Sequence, residues 1–522
     1  MKALGIIIGQ ANPTGFEFNI TDADNRPQNY EYIQIDHKEG GHNYKVLGQV
    51  KGLYSRHPFY DQRTTPGAAW KQQELGLGED LMQTIAHVKI LGYIYIENGR
   101  RDIRRPRTPP LPGTQVFRAD DQILRDLFTL QEEDLPLDVG SLLHRENIPI
   151  PINGHELHRH TAILAMTRYG KSYFTGRIIE ELLQKGASIL VIDAHGDYAN
   201  MNLSPEGRLN DDYHDRVTVY RPESAEQFQG PHVTPLNLSV SGVSDTELFT
   251  LARITGSLQT ILLRRAIRKV KAENPQYTLD HIIEQLDDML ETQKTDGQER
   301  IARIIMRLED LKRRGIFSDG DINPAAFFKP GHMSDIYLSG MTDYVQDVIV
   351  GMLLRRIFNA KFRKEPWARL PIFIFVEEAH RFAAPQDEGG GRYSRDILAR
   401  IAAEGAKFGV FLTVISQRPR RIDPDILANC SNLAILRIVN SQDQHTIQAA
   451  SESFSEDLLA DLPALEQGEA VLVGPFVPVP VMIKTATRRT KHGGTTPDIY
   501  GLLREAKDRE EAEREKQSYK LH

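Results

Sequence analysis

A single cysteine, Cys430, in 522 residues excludes a disulfide framework and argues against a cysteine zinc site; it fits a reducing cytoplasm. No apolar run approaches the roughly 18 residues that a membrane span needs, so no membrane association is expected. The first residues, Met1-Lys-Ala-Leu-Gly-Ile-Ile-Ile-Gly9, carry one charge and no small-residue cleavage site follows, so they read as a strand and not as a signal peptide. A net charge of −7 lacks the global basic footprint of a protein that simply coats DNA. It leaves open a ring that meets DNA only inside its pore.

What is present is enough apolar content, 40%, to bury large cores, and a length that predicts two to four domains. The chain is organised around residues 160–198. Thr161-Ala-Ile-Leu-Ala165 has the length and character of a buried strand, and Arg168-Tyr-Gly-Lys-Ser172 is a turn. From Tyr173 to Gln184, apolar residues at Phe174, Ile178, Ile179, Leu182 and Leu183 keep a helical period, which Gly186 closes. Ser188-Ile-Leu-Val-Ile192 is a second buried strand ending in Asp193. Gly-Lys-Ser at the mouth of a helix that follows a strand is the geometry of a phosphate-binding loop. Backbone N–H groups and the helix N-terminus face the anion, Lys171 neutralises it, and the Ser172 hydroxyl can ligate Mg²⁺. The tripeptide alone is weak, since it arises by chance roughly once in a few chains of this length. The usual first glycine is also absent from Ala165-Met-Thr-Arg-Tyr-Gly-Lys-Ser172. The competing reading is a surface turn with a solvated lysine.

Residues 1–105 read as short, often alternating strands punctuated by Asp22-Ala-Asp-Asn, Gly40-Gly and Asn98-Gly, which suggests a small antiparallel barrel, interrupted by a helix near 70–85. Arg100-Arg-Asp-Ile-Arg-Arg-Pro-Arg107 is a basic run; it suits nucleic acid or a solvated loop equally. The prolines that follow mark a linker, 106–150, carrying one short helix over 120–130. The nucleotide domain is expected in two parts, 151–240 and 326–485, split by a helical insertion at 241–325 that opens on a capping box, Ser244-Asp-Thr-Glu247. In that insertion Leu248, Leu251, Ile254, Leu258, Ile261 and Leu262 are expected on one face, as core or as a subunit contact. A polar extension, 486–522, closes the chain with a charge-mixed helix from Leu502 to Lys520. Strands alternating with helices predict an α/β fold with a mostly parallel, doubly covered sheet.

Chemistry gathers at strand ends. Leu370-Pro-Ile-Phe-Ile-Phe-Val376 is a buried strand ending in Glu377-Glu378; a carboxylate there, beside a phosphate loop, can hold Mg²⁺ and its neighbour can polarise water. The strand 409–415 ends near Gln417, which can orient water or sense the γ-phosphate. Asp193 is either a further carboxylate near the metal or a cap for its own loop. Arg418, Arg420 and Arg421 follow Gln417 as candidate phosphate contacts.

These motifs, together with Val191-Ile-Asp-Ala-His-Gly-Asp-Tyr198, Phe375-Val-Glu-Glu-Ala-His380, Ala402-Ala-Glu-Gly-Ala-Lys-Phe-Gly409 and Ile415-Ser-Gln-Arg-Pro419, resemble a HerA-type ATPase of the FtsK–HerA superfamily over nearly the whole chain. The resemblance implies a RecA-like P-loop ATPase core with an N-terminal β-barrel and an inserted helical bundle. It also implies ATP and Mg²⁺ as ligands and a cytoplasmic homohexamer that moves double-stranded DNA through its central pore. The partner it implies is a NurA-like nuclease in end processing, or a sirtuin-like or nuclease effector in antiphage defence.

By that resemblance the nucleotide loop is Thr167, Arg168, Tyr169, Gly170, Lys171, Ser172 and Tyr173, with Ser172 and Glu377 on Mg²⁺ and Glu378 catalytic. Gln417 matches the sensor, and Arg159 an arginine placed before the first strand that reaches a neighbour's nucleotide. Two departures stand out. Arg168 and Tyr169 replace small residues, and Glu404-Gly-Ala-Lys407 has Ala406 where the family has an arginine that is a candidate trans finger, worth about 10³–10⁵ in rate. Arg400 and Lys407 are the cations at hand to replace it. Hydrolysis is therefore expected to be slow or partner-dependent, and a weakly hydrolysing scaffold that assembles and regulates an effector is the alternative.

Overall fold

A computed structural model of the chain describes residues 2–509, apart from 23–24, 58–64, 66, 68–69, 72–73, 75–81, 98–99, 229, 292–294, 319, 386–391, 451–455, 495–498, 502 and 508. The chain falls into two compact units, 1–187 with 353–487, and 188–352 with the residues from 488 on.

The first unit opens with β1 (Gly5–Asn12), β2 (Gly15–Ile20), β3 (Tyr32–Glu39), β4 (His42–Arg56), β5 (Gln83–Glu97), β6 (Arg100–Arg104) and β7 (Gln115–Arg118). They pair in the order β2-β1-β7-β3-β4-β5, and β2 pairs again with β5, closing a six-stranded barrel to which β6 adds at β5. Alternating residues, among them Ile7, Phe16, Phe18, Ile33, Val46, Val88 and Val116, fill its interior. Two expectations change here. The barrel takes a strand from beyond residue 105, because the prolines at 109–112 form a turn that returns the chain to β1: Gly113 N–H donates to the Ile7 carbonyl at 2.9 Å. The basic run is not a loop, since Arg100–Arg104 pairs with Tyr93–Glu97 and Arg104 lies 3.7 Å over the Tyr95 ring. The helix expected near 70–85 falls largely outside the described residues, and 83–85 belong to β5.

After α1 (Asp121–Phe128), β8 (Pro136–Leu142) and β9 (Arg145–Asn153) form a hairpin. β10 (Thr161–Leu164) and α2 (Lys171–Gln184) follow. The chain then passes through the second unit, with β11 (Ser188–Asp193), β12 (Val217–Arg221), β13 (Val233–Pro235), α3 (Asp245–Leu251), α4 (Ser257–Glu273), α5 (Leu279–Glu291), α6 (Thr295–Arg313) and β14 (His332–Tyr337). Next come α7 (Asp343–Phe362), β15 (Ile372–Val376), α8 (Arg392–Glu404), β16 (Val410–Ser416), α9 (Pro424–Ala428), β17 (Asn432–Ile435), α10 (Ser441–Ala450), α11 (Glu456–Asp461), β18 (Glu469–Val473) and β19 (Val481–Thr485).

Within the first unit the core strands run β15-β16-β10-β17-β18-β19-β8-β9. The pairs β15/β16, β16/β10 and β10/β17 are parallel, and the rest antiparallel. The β8–β9 hairpin, most of which the sequence places in the linker 106–150, is thus part of this sheet. Arg177 on α2 is buried and ion-paired with Glu180 at 3.1 Å and Glu181 at 2.5 Å, and Glu181 accepts the Asp138 N–H at 3.2 Å, which ties α2 to β8.

Within the second unit the order is β13-β12-β14-β11, all parallel. The capping box at Ser244 forms: its hydroxyl accepts the Glu247 N–H and its own N–H donates to Glu247 Oε2. The single apolar face expected beyond it does not. The helix stops at Leu251 and restarts after Gly256, which shifts the phase, so Leu258 and Ile261 are 51% and 60% exposed. Leu263, Ala266, Ile267 and Val270 are buried instead. The helix expected at 502–520 lies mostly outside the described residues. Among the described residues no helix is long and apolar enough to cross a membrane.

Candidate active site

β10 is buried at all four residues and lies between β16 and β17. Past Ala165 the chain turns sharply. Arg168 (φ 69°) and Gly170 (φ 95°) both take the left-handed conformation, and Gly170 delivers the chain into α2 at Lys171. Gly170, the N-cap of α2, has no side chain to cover the helix N-terminus, which suits an anion site.

The loop is held from the β17 side. Met166 N–H donates to the Arg437 carbonyl at 2.9 Å, and Gly468 N–H to the Tyr169 carbonyl at 3.4 Å. Arg437 lies 5.0 Å from the centre of the Tyr169 ring, a cation–π contact. This accounts for a bulky residue where small ones are usual: Tyr169 is occupied by Arg437.

β15 is wholly buried and ends at Glu377. Lys171 Nζ ion-pairs with Glu377 Oε1 and lies 3.3 Å from Glu378 Oε1, and all three side chains are buried. Burial alone would lower the Lys171 pKa; the two carboxylates outweigh it and raise it. Burial would raise Glu378, yet His380 and Lys171 bring it down to about 2, so it stays ionised. Two buried carboxylates against one lysine leave a surplus negative charge, which favours a further cation. Hard oxygen donors on Glu377, Glu378 and Ser172, the second residue of α2, fit Mg²⁺. Gln417, just past β16, accepts the Thr167 hydroxyl. Lys171, Glu377, Glu378, Thr167 and Gln417 are therefore brought together at the C-terminal ends of three consecutive strands, β15, β16 and β10. Tyr173 is half-buried in the first turn of α2.

Three other predicted residues of the first unit, Arg159, Arg400 and Lys407, lie elsewhere in it. Arg159 sits before β10, at the end opposite Lys171, paired with Glu156 at 2.8 Å. Arg400 on α8 and Lys407, in the 3₁₀ turn Gly405–Phe408, precede β16, whereas Gln417 follows it. A seven-residue strand at about 3.3 Å per residue separates them. Arg400 lies over the Phe358 ring at 4.7 Å and is paired with Glu404 at 3.5 Å. Asp193, in the second unit, forms the loop cap: its carboxylate accepts N–H groups of His195 (3.2 Å), Gly196 (2.7 Å), Asp197 (3.1 Å) and Tyr198 (2.9 Å). Burial, with Asp197, pushes it up to about 6 against the pull of those donors.

A phosphate loop, an acidic strand end and an intervening strand that carries a polar tip make a RecA-like nucleotide site. The family model of the HerA helicase central domain matches residues 137–357. The DNA double-strand break repair helicase HerA of Pyrococcus furiosus is 30% identical over 560 residues, covering 95% of this chain and 94% of that protein. The chain belongs to the HerA helicase family. It is accordingly an ATPase of the helicase class. A probable helicase of Methanocaldococcus jannaschii is 31% identical over 435 residues, 80% of this chain and 79% of that protein. Among solved structures, the plasmid coupling protein TrwB with a non-hydrolysable ATP analogue aligns with a TM-score of 0.49 at 13% identity, over 72% of this chain and 95% of that one.

In this HerA-family chain two site residues escape sequence reading. His380 lies within a quoted motif, two positions after Glu378, but nothing in the spacing says that its ring turns back to Glu378 Oε2. Arg437 follows a buried strand and carries no motif; only the fold lays it on Tyr169.

Proposed function

We propose that the chain is a ring-forming motor that uses ATP hydrolysis to move along double-stranded DNA and feeds a partner nuclease during end processing. The observation that supports it best is the buried Lys171–Glu377–Glu378 set at the N-terminus of α2, with Gln417 at the next strand end. When bound, Mg²⁺ offsets phosphate charge and polarises the transferring group. Lys171 and the first N–H groups of α2 hold the β- and γ-phosphates. Ser172 and Glu377 would hold the metal, Glu378 takes a proton from the attacking water, and Gln417 aligns that water. Arg418, Arg420 and Arg421 contact DNA phosphates without reading sequence. A homohexamer places Arg159 at a neighbour's nucleotide, a position that its distance from Lys171 within one chain favours.

A second reading is a ring that binds ATP, hydrolyses it slowly, and assembles a defence effector. Ala406 and the placement of Arg400 and Lys407 at the far end of β16 favour it. ATP turnover by the full chain, with and without duplex DNA, separates the two. DNA-stimulated turnover that Glu378→Gln abolishes supports the motor. Slow turnover indifferent to DNA in the unmodified protein overturns it and supports the scaffold.

A further inference from the structure

His380 stands between two parts of the molecule that the reaction must connect. It lies in the short turn Ala379–Arg381 that follows Glu378, and Glu378 itself is in the left-handed conformation (φ 48°). That backbone bend turns the chain so that His380 Nδ1 comes 3.1 Å from Glu378 Oε2. The same nitrogen lies 3.2 Å from Ser416 Oγ, at the end of β16. Ser416 is fully buried, and its hydroxyl also accepts the Arg418 N–H at 3.0 Å. Glu378 Oε2 accepts no aligned hydrogen bond, so its contact with the imidazole is one of proximity. Such a contact is easily broken by a small movement of the ring.

Arg418, Arg420 and Arg421 are exposed on the turn that Ser416 anchors. Arg420 is braced there by Gln442 at 2.7 Å. A displacement of this turn moves Ser416 and with it the imidazole. Lys171, from the phosphate loop, and His380, from the turn after β15, both face the Glu378 carboxylate.

We propose that His380 is a positioning residue that links Glu378, through Ser416, to the basic turn Arg418–Arg421, so that phosphate contact at the turn releases Glu378 to orient water. This rests on the DNA-motor reading above. Holding Glu378 on His380 keeps turnover low, and engagement of the turn by DNA raises kcat with little change in KM.

The test measures kcat and KM for ATP with the full chain, with and without a blunt DNA duplex, in the unmodified protein, Ser416→Ala, His380→Ala and His380→Asn. The expected result is a DNA-dependent rise in kcat in the unmodified protein that is lost in Ser416→Ala and His380→Ala, with KM within about twofold. His380→Asn, whose amide occupies the Nδ1 position, keeps part of the rise. A second readout is turnover without DNA: it rises in His380→Ala toward the DNA-stimulated rate of the unmodified protein, because Glu378 is no longer held. Should His380→Ala fail to fold, the other two variants carry the comparison. An unmodified protein indifferent to DNA overturns the motor reading and the link with it. Stimulation that persists undiminished in the variants overturns the link alone.

Discussion

Lys171 Nζ and Glu378 Oε1 lie 3.3 Å apart inside the first unit, 207 positions apart in sequence. Each needs the other while no anion is bound: the lysine is buried among carboxylates, and the carboxylates are buried around the lysine. An incoming phosphate competes for Lys171.

Lys171→Ala is expected to abolish nucleotide binding and to lower stability, since it removes the lysine cation from between two buried carboxylates; breaking a buried ion pair costs about 3–5 kcal/mol. Glu377→Gln added to Lys171→Ala removes one of those charges. It restores part of the lost melting temperature and none of the ATP turnover. Thermal melting and turnover on the single and double variants check this, and a double variant no more stable than the single contradicts it.

Tyr169→Gly removes the ring beneath Arg437 and frees the nucleotide loop. The stack contributes about 0.5–1 kcal/mol, so a small fall in melting temperature is expected together with a several-fold rise in KM for ATP. An unchanged KM shows that the tyrosine has no part in holding the loop.

His160 gives the first unit a pH dependence. Burial pushes its imidazole down to about 4, despite backbone contacts from Ala402 and Ile401, and its Nδ1 accepts the Leu412 N–H at 3.0 Å. Between the ordinary value of 6.5 and about 4, the unfolded chain binds a proton that the folded chain refuses. Stability therefore falls as pH drops through that window, by about 3 kcal/mol at 1.36 kcal/mol per unit. His160→Gln lacks this loss, so its stability relative to the unmodified protein rises as pH is lowered from 6.5 to 4 in denaturant titrations. A constant difference across that range contradicts the argument.

Asp335 predicts the opposite slope in the second unit. It is fully buried, and neither of its oxygens accepts a hydrogen bond. Burial, with Asp193 and Asp197, raises its pKa well above the ordinary 3.8. The folded chain therefore keeps a proton that the unfolded chain releases above pH 3.8, and stability declines as pH rises past that value. Asp335→Asn, neutral at every pH, is expected to melt higher than the unmodified protein at pH 8, with the gap closing toward pH 4. A gap that does not change with pH counts against a buried acid.

Much of the site is legible in the chain because it is local. Gly170-Lys171-Ser172 between a four-residue buried strand and a helix has the spacing of a phosphate loop. Glu377-Glu378 after Ile372–Val376 marks a strand end by its abrupt change from apolar to acidic. Less legible is anything that depends on phase or return. Leu258 and Ile261 keep the period of Leu248 on paper, but the break before Ser257 rotates them into solvent. The prolines at 109–112 read as a linker and act as a turn, because Val116 completes a barrel whose other strands lie earlier in the chain.

Sequence by itself determined which residues carry charge at strand ends and that an alanine, Ala406, stands within Glu404-Gly-Ala-Lys407. Local pattern suffices there, since a strand's end and a helix's start are set by neighbours a few positions away. Only the tertiary structure decided that Asp193 caps its own loop, that Tyr169 is stacked under Arg437, and that His380 and Ser416 lie between Glu378 and the basic turn. Each of these depends on where a backbone bends, and the left-handed φ at Arg168, Gly170 and Glu378 is imposed by packing that no spacing rule contains.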